Sequence, residues 1–382
     1  MRLWIAKLPM KKYDEVIEYL LDLGFTDVIV GYNLGQVIAV KDRGMRAHFL
    51  VKPFRLTKDQ IGRQYALEDP LGRKHIWNGM GCPNHPELKE RSLKFIEEIM
   101  SGYEINGVVL DGANFPSFTN GINTFTTCFC EHCENKAKEM GYDFKRMKED
   151  VEGLLKEAYR LSEFLPIFTA FDYGIPPILS TLIEYPGVIE WLSFRSACIV
   201  EYTKEMFNVI SSFGRNVEYG AILFPPTLAW LIGQDYHQLS YYLDFIQPII
   251  YRSGTSSSCL NFELYSLIGE LLRLNRDLDE ESVMRFVYSL FNVLHYNPPS
   301  DREELREKGL SSEMLSYEYL AAKELVRERI PVYPRVEIGD EEIVTSIKNL
   351  KKQHLEGISI TSYEAKLKSR LEEVVKIIKL TT

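Results

Sequence analysis

The sequence lacks any long uninterrupted apolar run. Its longest apolar segment, residues 188–210, is broken by the charged side chains Glu190, Arg195, Glu201, Lys204 and Glu205. A membrane span requires roughly 18 apolar residues in succession. The first nine residues are too short and too charged for the apolar core of a secretory signal. These absences predict a soluble protein without a membrane partner.

Positive charge is also in short supply. The chain has 45 Lys and Arg residues against 54 Asp and Glu residues, which gives a formal net charge of −9. Nucleic-acid binding relies on clustered basic side chains because the phosphate contacts are electrostatic. We therefore expect no nucleic-acid partner. The 382 residues are 45% hydrophobic, enough to bury a large core, so a disordered chain is not expected.

Cysteine is scarce, with six residues in 382, yet three of them fall at Cys128, Cys130 and Cys133. This spacing suits one metal ion better than disulfide bridges and indicates a reducing, cytoplasmic compartment. A tetrahedral Zn²⁺ needs a fourth ligand from elsewhere, for which Cys82 is favoured and His132 is the alternative. Four thiolates leave no open coordination position, so the predicted zinc is structural.

Short β-rich runs alternate with longer amphipathic segments, a pattern typical of parallel strands joined by crossover helices. Strands are predicted at residues 3–6, 27–31, 47–52, 107–110, 218–223, 245–251, 332–336 and 357–361. Helices are predicted at residues 11–23, 86–100, 186–212 and 340–354. Eight strands close a barrel. The predicted fold is therefore a single-domain (β/α)8 TIM barrel of the α/β class.

Three connections between the predicted strands are long. The stretch after Gly35 and through Met80 is predicted to hold the third strand and a polar loop. Within the barrel domain, residues 1–382, we predict a zinc-bearing insertion at 112–186 and a helical insertion at 253–330. Barrel enzymes carry their chemistry on such βα loops. The helical insertion is open to two interpretations, a lid or a contact in a homo-oligomer.

The cysteine pattern resembles a known zinc site. One cysteine before the predicted fourth strand and a C-x-C-x-x-C after it are similar to the zinc site of family 42 β-galactosidases, which are barrels of glycoside hydrolase clan A. The resemblance covers residues 82–133 and implies four zinc ligands, Cys82, Cys128, Cys130 and Cys133. Residues 82–84, 103–111, 233–236 and 244–251 also resemble a broad group of barrel glycosidases, most of them uncharacterised.

Glycoside hydrolysis requires two carboxyl groups that face each other across the sugar. Asp111 follows the predicted fourth strand and precedes Gly112, so it would emerge at the barrel mouth. A turn-forming or helix-capping aspartate is the alternative interpretation. Clan A enzymes have an Asn-Glu pair at this place, whereas α-fucosidase and α-galactosidase barrels carry an Asp nucleophile on the fourth strand, in a setting similar to residues 109–112. Asp111 is therefore predicted to be the nucleophile or the acid.

Glu337 is the predicted second carboxylate. It ends the predicted seventh strand, where clan A enzymes hold their nucleophile, and Arg335 could keep it ionised if the two side chains converge. The alternative is that Glu337 merely adds negative charge to the start of the following helix. The reserve candidates are Asp235, Asp172 and Glu364.

Sugar sites combine flat apolar surfaces with a few fixed hydrogen-bonding groups. We predict substrate contacts from side chains at or beyond the strand ends, namely Trp77, Asn114, Trp230, Asp235, Tyr251, Arg335 and Tyr363. The sequence thus predicts a glycoside hydrolase that acts on a carbohydrate. A catalytically silent carbohydrate-binding barrel and a metal-assisted hydrolase are the two alternatives.

Overall fold

A computed structural model describes residues 1–214 and 216–380. Eight parallel strands form one sheet: β1 Arg2–Ala6, β2 Asp27–Val30, β3 Arg46–Val51, β4 Gly107–Asp111, β5 Glu218–Leu223, β6 Phe245–Pro248, β7 Arg335–Val336 and β8 Gly357–Ile360. Strand β8 pairs with β1. Bridges from Ile246 to Val332 and from Ile249 to Arg335 join β6 to β7 and complete the ring. The predicted barrel is confirmed.

Two strands are shorter than predicted. Strand β7 keeps only Arg335 and Val336, with Val332 as an isolated bridge, and β6 ends at Pro248. Proline has no N–H to donate to a strand ladder. Pro334 therefore interrupts β7, and Pro248 limits β6.

Inward-facing side chains fill the barrel with one apolar cluster: Trp4, Ala6, Ile29, Val109, Ile222, Phe245, Ile249 and Tyr333. A close approach requires glycine at position 220, where a Cβ would lie 2.3 Å from the ring of Phe245. Side chains alternate between the two faces of a strand. The inward register therefore continues to Lys52, Asp111 and Arg335 at the carboxyl ends.

The helices surround the barrel and extend its loops: α1 Tyr13–Asp22, α2 Leu34–Asp42, α3 Pro86–Gly102, α4 Ile122–Phe125, α5 Glu131–Met140, α6 Phe144–Tyr159, α7 Leu161–Ala170, α8 Ile175–Glu184, α9 Pro186–Ser212, α10 Pro226–Ala229, α11 Tyr236–Leu239, α12 Leu260–Leu274, α13 Glu280–Leu290, α14 Arg302–Lys308, α15 Met314–Leu325, α16 Ile343–Lys351 and α17 Lys368–Lys379. None of these described helices combines the length and apolarity needed to cross a bilayer.

Helix α2 corrects the prediction of a polar loop after β2. The side chain of Asn33 accepts a hydrogen bond from the Gln36 N–H at 3.2 Å and so caps the helix start. Beyond Leu34, the apolar residues of α2 run consecutively at 37–40 and do not mark one face of the helix, which is why periodicity missed it.

Two connections hold most of the remaining helices. Helices α4 to α9 lie between β4 and β5, and helices α12 to α15 lie between β6 and β7. The division into insertions at 112–186 and 253–330 stays a prediction.

A charged network lies at the amino ends of the strands. Asp27 is buried and accepts hydrogen bonds from Arg2 Nε at 3.0 Å and His48 Nε2 at 2.8 Å. Arg2 also pairs with Glu218. Burial opposes ionisation of Asp27, but the hydrogen bonds from His48 and Arg2 outweigh it and hold its pKa at about 2. The network places charge at the end of the barrel opposite the mouth, where residues serve stability.

Candidate functional site

A cavity of about 120 Å³ lies at the carboxyl ends of β3, β4 and β5. It is lined by Lys52, Arg55, Trp77, Asn78, Met80, Asp111, Gly112, Asn114, Ile222, Phe224, Ile249, Ser257 and Ser258. This is the end of a (β/α)8 barrel where active sites are found. We call it the mouth cavity.

Asp111 is the last residue of β4 and lines the mouth cavity. Its Oδ2 lies 2.8 Å from the ammonium nitrogen of Lys52, at the end of β3. Gly112 has a φ of 80°, which lets the chain turn away directly after the carboxylate. Among the described residues, no backbone N–H donates to Asp111, so the geometry does not support a capping or turn-forming role.

Two predicted substrate contacts share this cavity with Asp111. The indole of Trp77 is buried, and its Nε1 donates to Thr119 Oγ1 at 3.3 Å. The Asn114 amide is buried and donates to the Phe115 carbonyl at 2.6 Å. Its Oδ1 has no hydrogen-bond partner. An apolar face and a free acceptor therefore lie beside the carboxylate.

Loops from opposite sides of the barrel cover the mouth cavity. Asn78 Nδ2, after β3, donates to Ser257 Oγ, after β6, at 2.8 Å. Ligand sites usually measure about 300 to 1,000 Å³, so the mouth cavity is small. An extended carbohydrate can enter only if these loops separate.

Glu263 of α12, which the sequence patterns did not indicate, connects the loop after β4 with the loop after β6. Its buried carboxylate accepts hydrogen bonds from Ser117 Oγ at 2.6 Å, Phe118 N at 3.0 Å and Ser258 N at 3.1 Å. Burial raises the pKa of Glu263 to about 7. The only sequence signal was an acidic residue on the apolar face of a helix.

A second polar group lies beside the cavity at β6, β7 and β8. Arg335 donates from Nε to the Tyr251 hydroxyl at 3.1 Å and from Nη1 to Gln247 Oε1 at 3.2 Å and Ser359 Oγ at 3.3 Å. Thr361 Oγ1 donates to the same Tyr251 hydroxyl at 2.6 Å. We call these five residues the arginine cluster. Ile249, which lines the cavity, bridges to Arg335 in the sheet.

Glu337 lies on the side of the mouth that holds the arginine cluster. It is half-buried, and its Oε1 accepts from Gly339 N at 3.2 Å. Burial raises the pKa of Tyr251, and the negative charge of Glu337 adds to that increase. Arg335 forms no salt bridge with Glu337 in the described part of the chain. Glu337 is not among the residues that line the mouth cavity.

Three other predicted substrate contacts lie outside the mouth cavity. Trp230 is 53% exposed. The carboxylate of Asp235 caps α11 by accepting from Gln238 N at 3.0 Å. The ring of Tyr363 packs edge-on against Tyr19 of α1, with 6.0 Å between the ring centres. None of the three is brought to Asp111, and their role as ligand contacts stays a prediction.

The reserve carboxylates also lie apart from the cavity. Asp172 is exposed and pairs with Arg285 at 2.6 Å. Glu364 pairs with Lys366 at 3.2 Å. Neither lines the mouth cavity.

The four predicted metal ligands come together, and their sulfur atoms lie within 4.8 Å of one another. The sulfur of Cys82 is 3.5 Å from those of Cys130 and Cys133. Four sulfurs about 2.3 Å from a tetrahedral zinc are about 3.8 Å apart, whereas a disulfide is about 2.05 Å long. The spacing of this cysteine cluster, completed by Cys128, suits one metal ion. His132 instead packs against His85, with ring centres 4.4 Å apart.

Hydrogen-bond donors and a buried cation surround the cysteine cluster. Asn84 Nδ2 donates to Cys133 Sγ at 3.3 Å, and Glu68 N donates to Cys128 Sγ at 3.4 Å. Burial raises the pKa of Cys133, and the neighbouring sulfurs add to the increase. Four neighbouring thiolates therefore require a positive ion among them, and this requirement fits the Zn²⁺ that the four cysteines suggest.

Arg195 of α9 is the buried cation beside this cluster. Its Nη1 donates to the Leu231 carbonyl at 2.6 Å, and its guanidinium lies 3.9 Å from the ring centre of Trp191. Burial lowers the pKa of Arg195, while Cys128 and Cys133 act to raise it. Arg195 forms no salt bridge in the described part of the chain, and its hydrogen bonds go to backbone carbonyls.

No family model matches this chain, and no curated protein matches it in sequence. Solved structures with a similar fold include the PgaB (BpsB) glycoside hydrolase domain from Bordetella bronchiseptica, with a TM-score of 0.55 and 10% identity over 100% of this chain and 99% of that chain. A β-galactosidase from the Antarctic haloarchaeon Halorubrum lacusprofundi has a TM-score of 0.60 and 13% identity over 100% of this chain. This chain spans 58% of that enzyme.

A third similar structure is the catalytic domain of β-amylase from Paenibacillus polymyxa, with a TM-score of 0.53 and 11% identity over 99% of both chains. At such low identities, the likeness shows the fold alone. The resemblance to barrel glycoside hydrolases that the sequence predicts is therefore confirmed for the fold.

Proposed function

We propose that this protein is a glycoside hydrolase that cleaves a glycosidic bond with two carboxyl groups, Asp111 and Glu337. One observation carries the proposal. Asp111 ends β4 inside a covered cavity, next to the buried ring of Trp77 and the free acceptor of Asn114. A carboxylate on a rigid strand end, an apolar face and a hydrogen-bonding group are the parts that sugar hydrolysis needs.

The two carboxyl groups have different surroundings, which suits different roles. Asp111 lies 2.8 Å from the positive charge of Lys52, an environment suited to a carboxylate that acts in its charged form. We assign it the role of nucleophile or base. Glu337, half-buried on the opposite side of the mouth, is assigned the role of proton donor. The side chain of Arg335, two residues earlier, points into the barrel. Because side chains alternate along a strand, Glu337 is expected to point inward as well.

The similar folds support the same class of reaction. The printed names of the three structures compared above are those of a glycoside hydrolase domain, a β-galactosidase and a β-amylase. Substrate is not transferred from them to this chain. The tight mouth cavity supports binding of one sugar unit at Asp111, with Trp77 against the ring and Asn114 at a hydroxyl group.

We also propose that the cysteine cluster binds one structural Zn²⁺. Cys82 comes from the segment after β3 and the other three ligands come from the segment after β4, so the metal would fasten two mouth loops together. Four sulfur ligands would leave no position for a reactive water, which argues against a metal-assisted hydrolase. All six cysteines are unpaired in the structure, which is compatible with the predicted cytoplasmic location.

A carbohydrate-binding barrel without catalysis is the second candidate. One observation favours it, because Asp111 is the one carboxylate among the described residues that line the mouth cavity. Hydrolysis therefore requires Glu337 to reach the sugar when the cavity opens. A binding protein would need no second carboxylate.

A screen of 4-nitrophenyl glycosides of both anomeric configurations, paired with calorimetric titration of the free sugars, separates the two candidates. The hydrolase proposal expects turnover that Glu337→Gln lowers by about 10²-fold or more, because a proton donor is lost. Glu341→Gln is the matched control, since Glu341 is exposed nearby, and should leave turnover unchanged. Sugar binding without cleavage of any glycoside would favour the binding barrel. Full activity of Glu337→Gln would exclude Glu337 as the second carboxyl group.

A further inference from the structure

The inference begins with the arginines that the fold buries. Arg195, Arg252 and Arg335 are 0%, 6% and 5% exposed. Arg252 donates to both carboxylate oxygens of Asp340, with Nε at 3.0 Å from Oδ2. Arg195 lies beside the cysteine cluster and donates to backbone carbonyls. Arg335 forms no salt bridge in the described part of the chain.

Every acceptor around Arg335 is neutral. The guanidinium is held by the Tyr251 hydroxyl, Gln247 Oε1 and Ser359 Oγ, and Nη2 has only a 3.5 Å contact with the Thr361 carbonyl. An uncompensated buried charge is among the least favourable features of a protein interior. These hydrogen bonds fix the plane of the guanidinium and leave its Nη2 able to donate to a ligand in a defined direction. Arginine recognises carboxylate and phosphate groups in this way.

A second polar group beside Arg335 lacks a partner. Gln247 is fully buried, and its Nε2 has no hydrogen-bond acceptor, although its Oε1 accepts from Arg335. The sheet register pairs Gln247 with Ile222, which lines the mouth cavity. The Gln247 amide and the Arg335 guanidinium are therefore hydrogen-bonded neighbours behind the cavity lining, where Gln247 Nε2 lacks an acceptor and Arg335 Nη2 has only a long one.

The rest of the mouth is also positive. Lys52 and Arg55 line the cavity together with Asp111. Asp111 neutralises Lys52 at 2.8 Å, whereas Arg55 forms no salt bridge in the described part of the chain. The mouth thus has surplus positive charge in a chain whose formal net charge is −9. Such a local reversal of sign favours an anionic ligand.

We propose that the sugar bound at the mouth carries an anionic group, either the carboxylate of a uronic acid or a phosphate ester, and that Arg335 and Gln247 bind this group. The proposal rests on the proposed glycoside hydrolase function, of which it names the substrate class. Arg335 also connects β6, β7 and β8, so its test must separate recognition of the anion from support of the barrel.

Calorimetric titration with D-glucuronate, D-galacturonate, glucose 6-phosphate, D-glucose, D-galactose and inorganic phosphate tests the proposal on the wild-type protein and on Arg335→Gln. At least one acidic sugar should bind about tenfold or more tightly than its neutral counterpart. Arg335→Gln should weaken that binding by about 10- to 100-fold, as expected for charge-assisted hydrogen bonds, and so reduce the preference for the acidic over the neutral sugar. The two uronates and the phosphate ester identify which anion is bound.

Arg273→Gln is the matched control, because Arg273 is exposed on α12 and pairs with Glu270. It should bind like the wild type. If circular dichroism shows that Arg335→Gln is unfolded, the preference of the wild-type protein for acidic over neutral sugars decides the test. Arg335→Lys is then the second variant, because it keeps the positive charge but loses the planar set of N–H donors. Equal binding of acidic and neutral sugars would overturn the proposal, as would binding of inorganic phosphate as tight as that of every acidic sugar.

Hydrolysis of 4-nitrophenyl uronides and neutral 4-nitrophenyl glycosides then separates failure of this proposal from failure of the proposed function. Cleavage of neutral glycosides at the same kcat/KM as the uronides and as 4-nitrophenyl glucoside 6-phosphate would overturn the anionic substrate and leave the hydrolase standing. Arg335-dependent binding of acidic sugars with no cleavage would overturn the hydrolase and leave the anion site standing.

Discussion

Replacing Arg195 by methionine should destabilise the protein and weaken metal binding together. The guanidinium donates to the carbonyls of Phe125, Thr127 and Leu231. Each buried acceptor left without a donor costs about 1–3 kcal/mol. Removing the charge offsets part of this cost, because the guanidinium no longer has to lose its hydration when the protein folds. We expect a net loss of about 3–5 kcal/mol in the free energy of unfolding.

Thermal unfolding followed by circular dichroism measures this loss. With an unfolding entropy of about 2.1 cal/mol/K per residue, the melting temperature of a chain of this size should fall by roughly 5 °C. Metal content measured on the same samples should fall as well, because the thiolates lose a nearby buried cation. Arg273→Met, at an exposed ion pair, is the control and should change the free energy of unfolding by at most about 1 kcal/mol. An Arg195→Met protein that melts like the wild type and keeps its metal would refute this reasoning.

Two further predictions concern other parts of the barrel. Cys82→Ser should abolish stoichiometric zinc, because an oxygen replaces one of four thiolates; elemental analysis that finds one zinc per chain in this variant would contradict it. Asp27, with a pKa of about 2 against 3.8 for an unperturbed carboxyl, contributes stability that is complete above pH 3.8 and is lost as the pH falls through 2. The difference corresponds to about 2 kcal/mol, and urea unfolding between pH 5 and pH 2 should show that decrease in the wild type but not in Asp27→Asn.

The barrel was predictable because its signals are local. Strand runs such as 107–110 and 357–360 are apolar, β-rich and bounded by polar residues, so pattern alone located them. Helix α2 was not predictable from periodicity because its apolar residues are consecutive. Its cap, Asn33, was the available signal.

The candidate site was predictable only in part. Residue type and spacing predicted that the four cysteines lie together. The position of Asp111 at a strand end predicted that it lies at the barrel mouth. The partners of Arg195, Glu263 and Gln247 come from distant segments, and sequence spacing does not show which buried polar groups meet. A position beyond a strand end also leaves the direction of the side chain open, which is why Tyr363 lies against α1. The cytoplasmic location and a homo-oligomer stay predictions.

The measurement that tests the central claim most directly is kcat/KM of Asp111→Asn on a glycoside that the wild-type protein hydrolyses. Asparagine keeps the size of the side chain but can neither attack an anomeric carbon nor accept a proton. We predict a loss of at least about 10²-fold with an unchanged melting temperature. Asp279→Asn, at an exposed helix cap, is the matched control and should retain full activity. An Asp111→Asn protein with more than about a tenth of the wild-type kcat/KM would contradict the account.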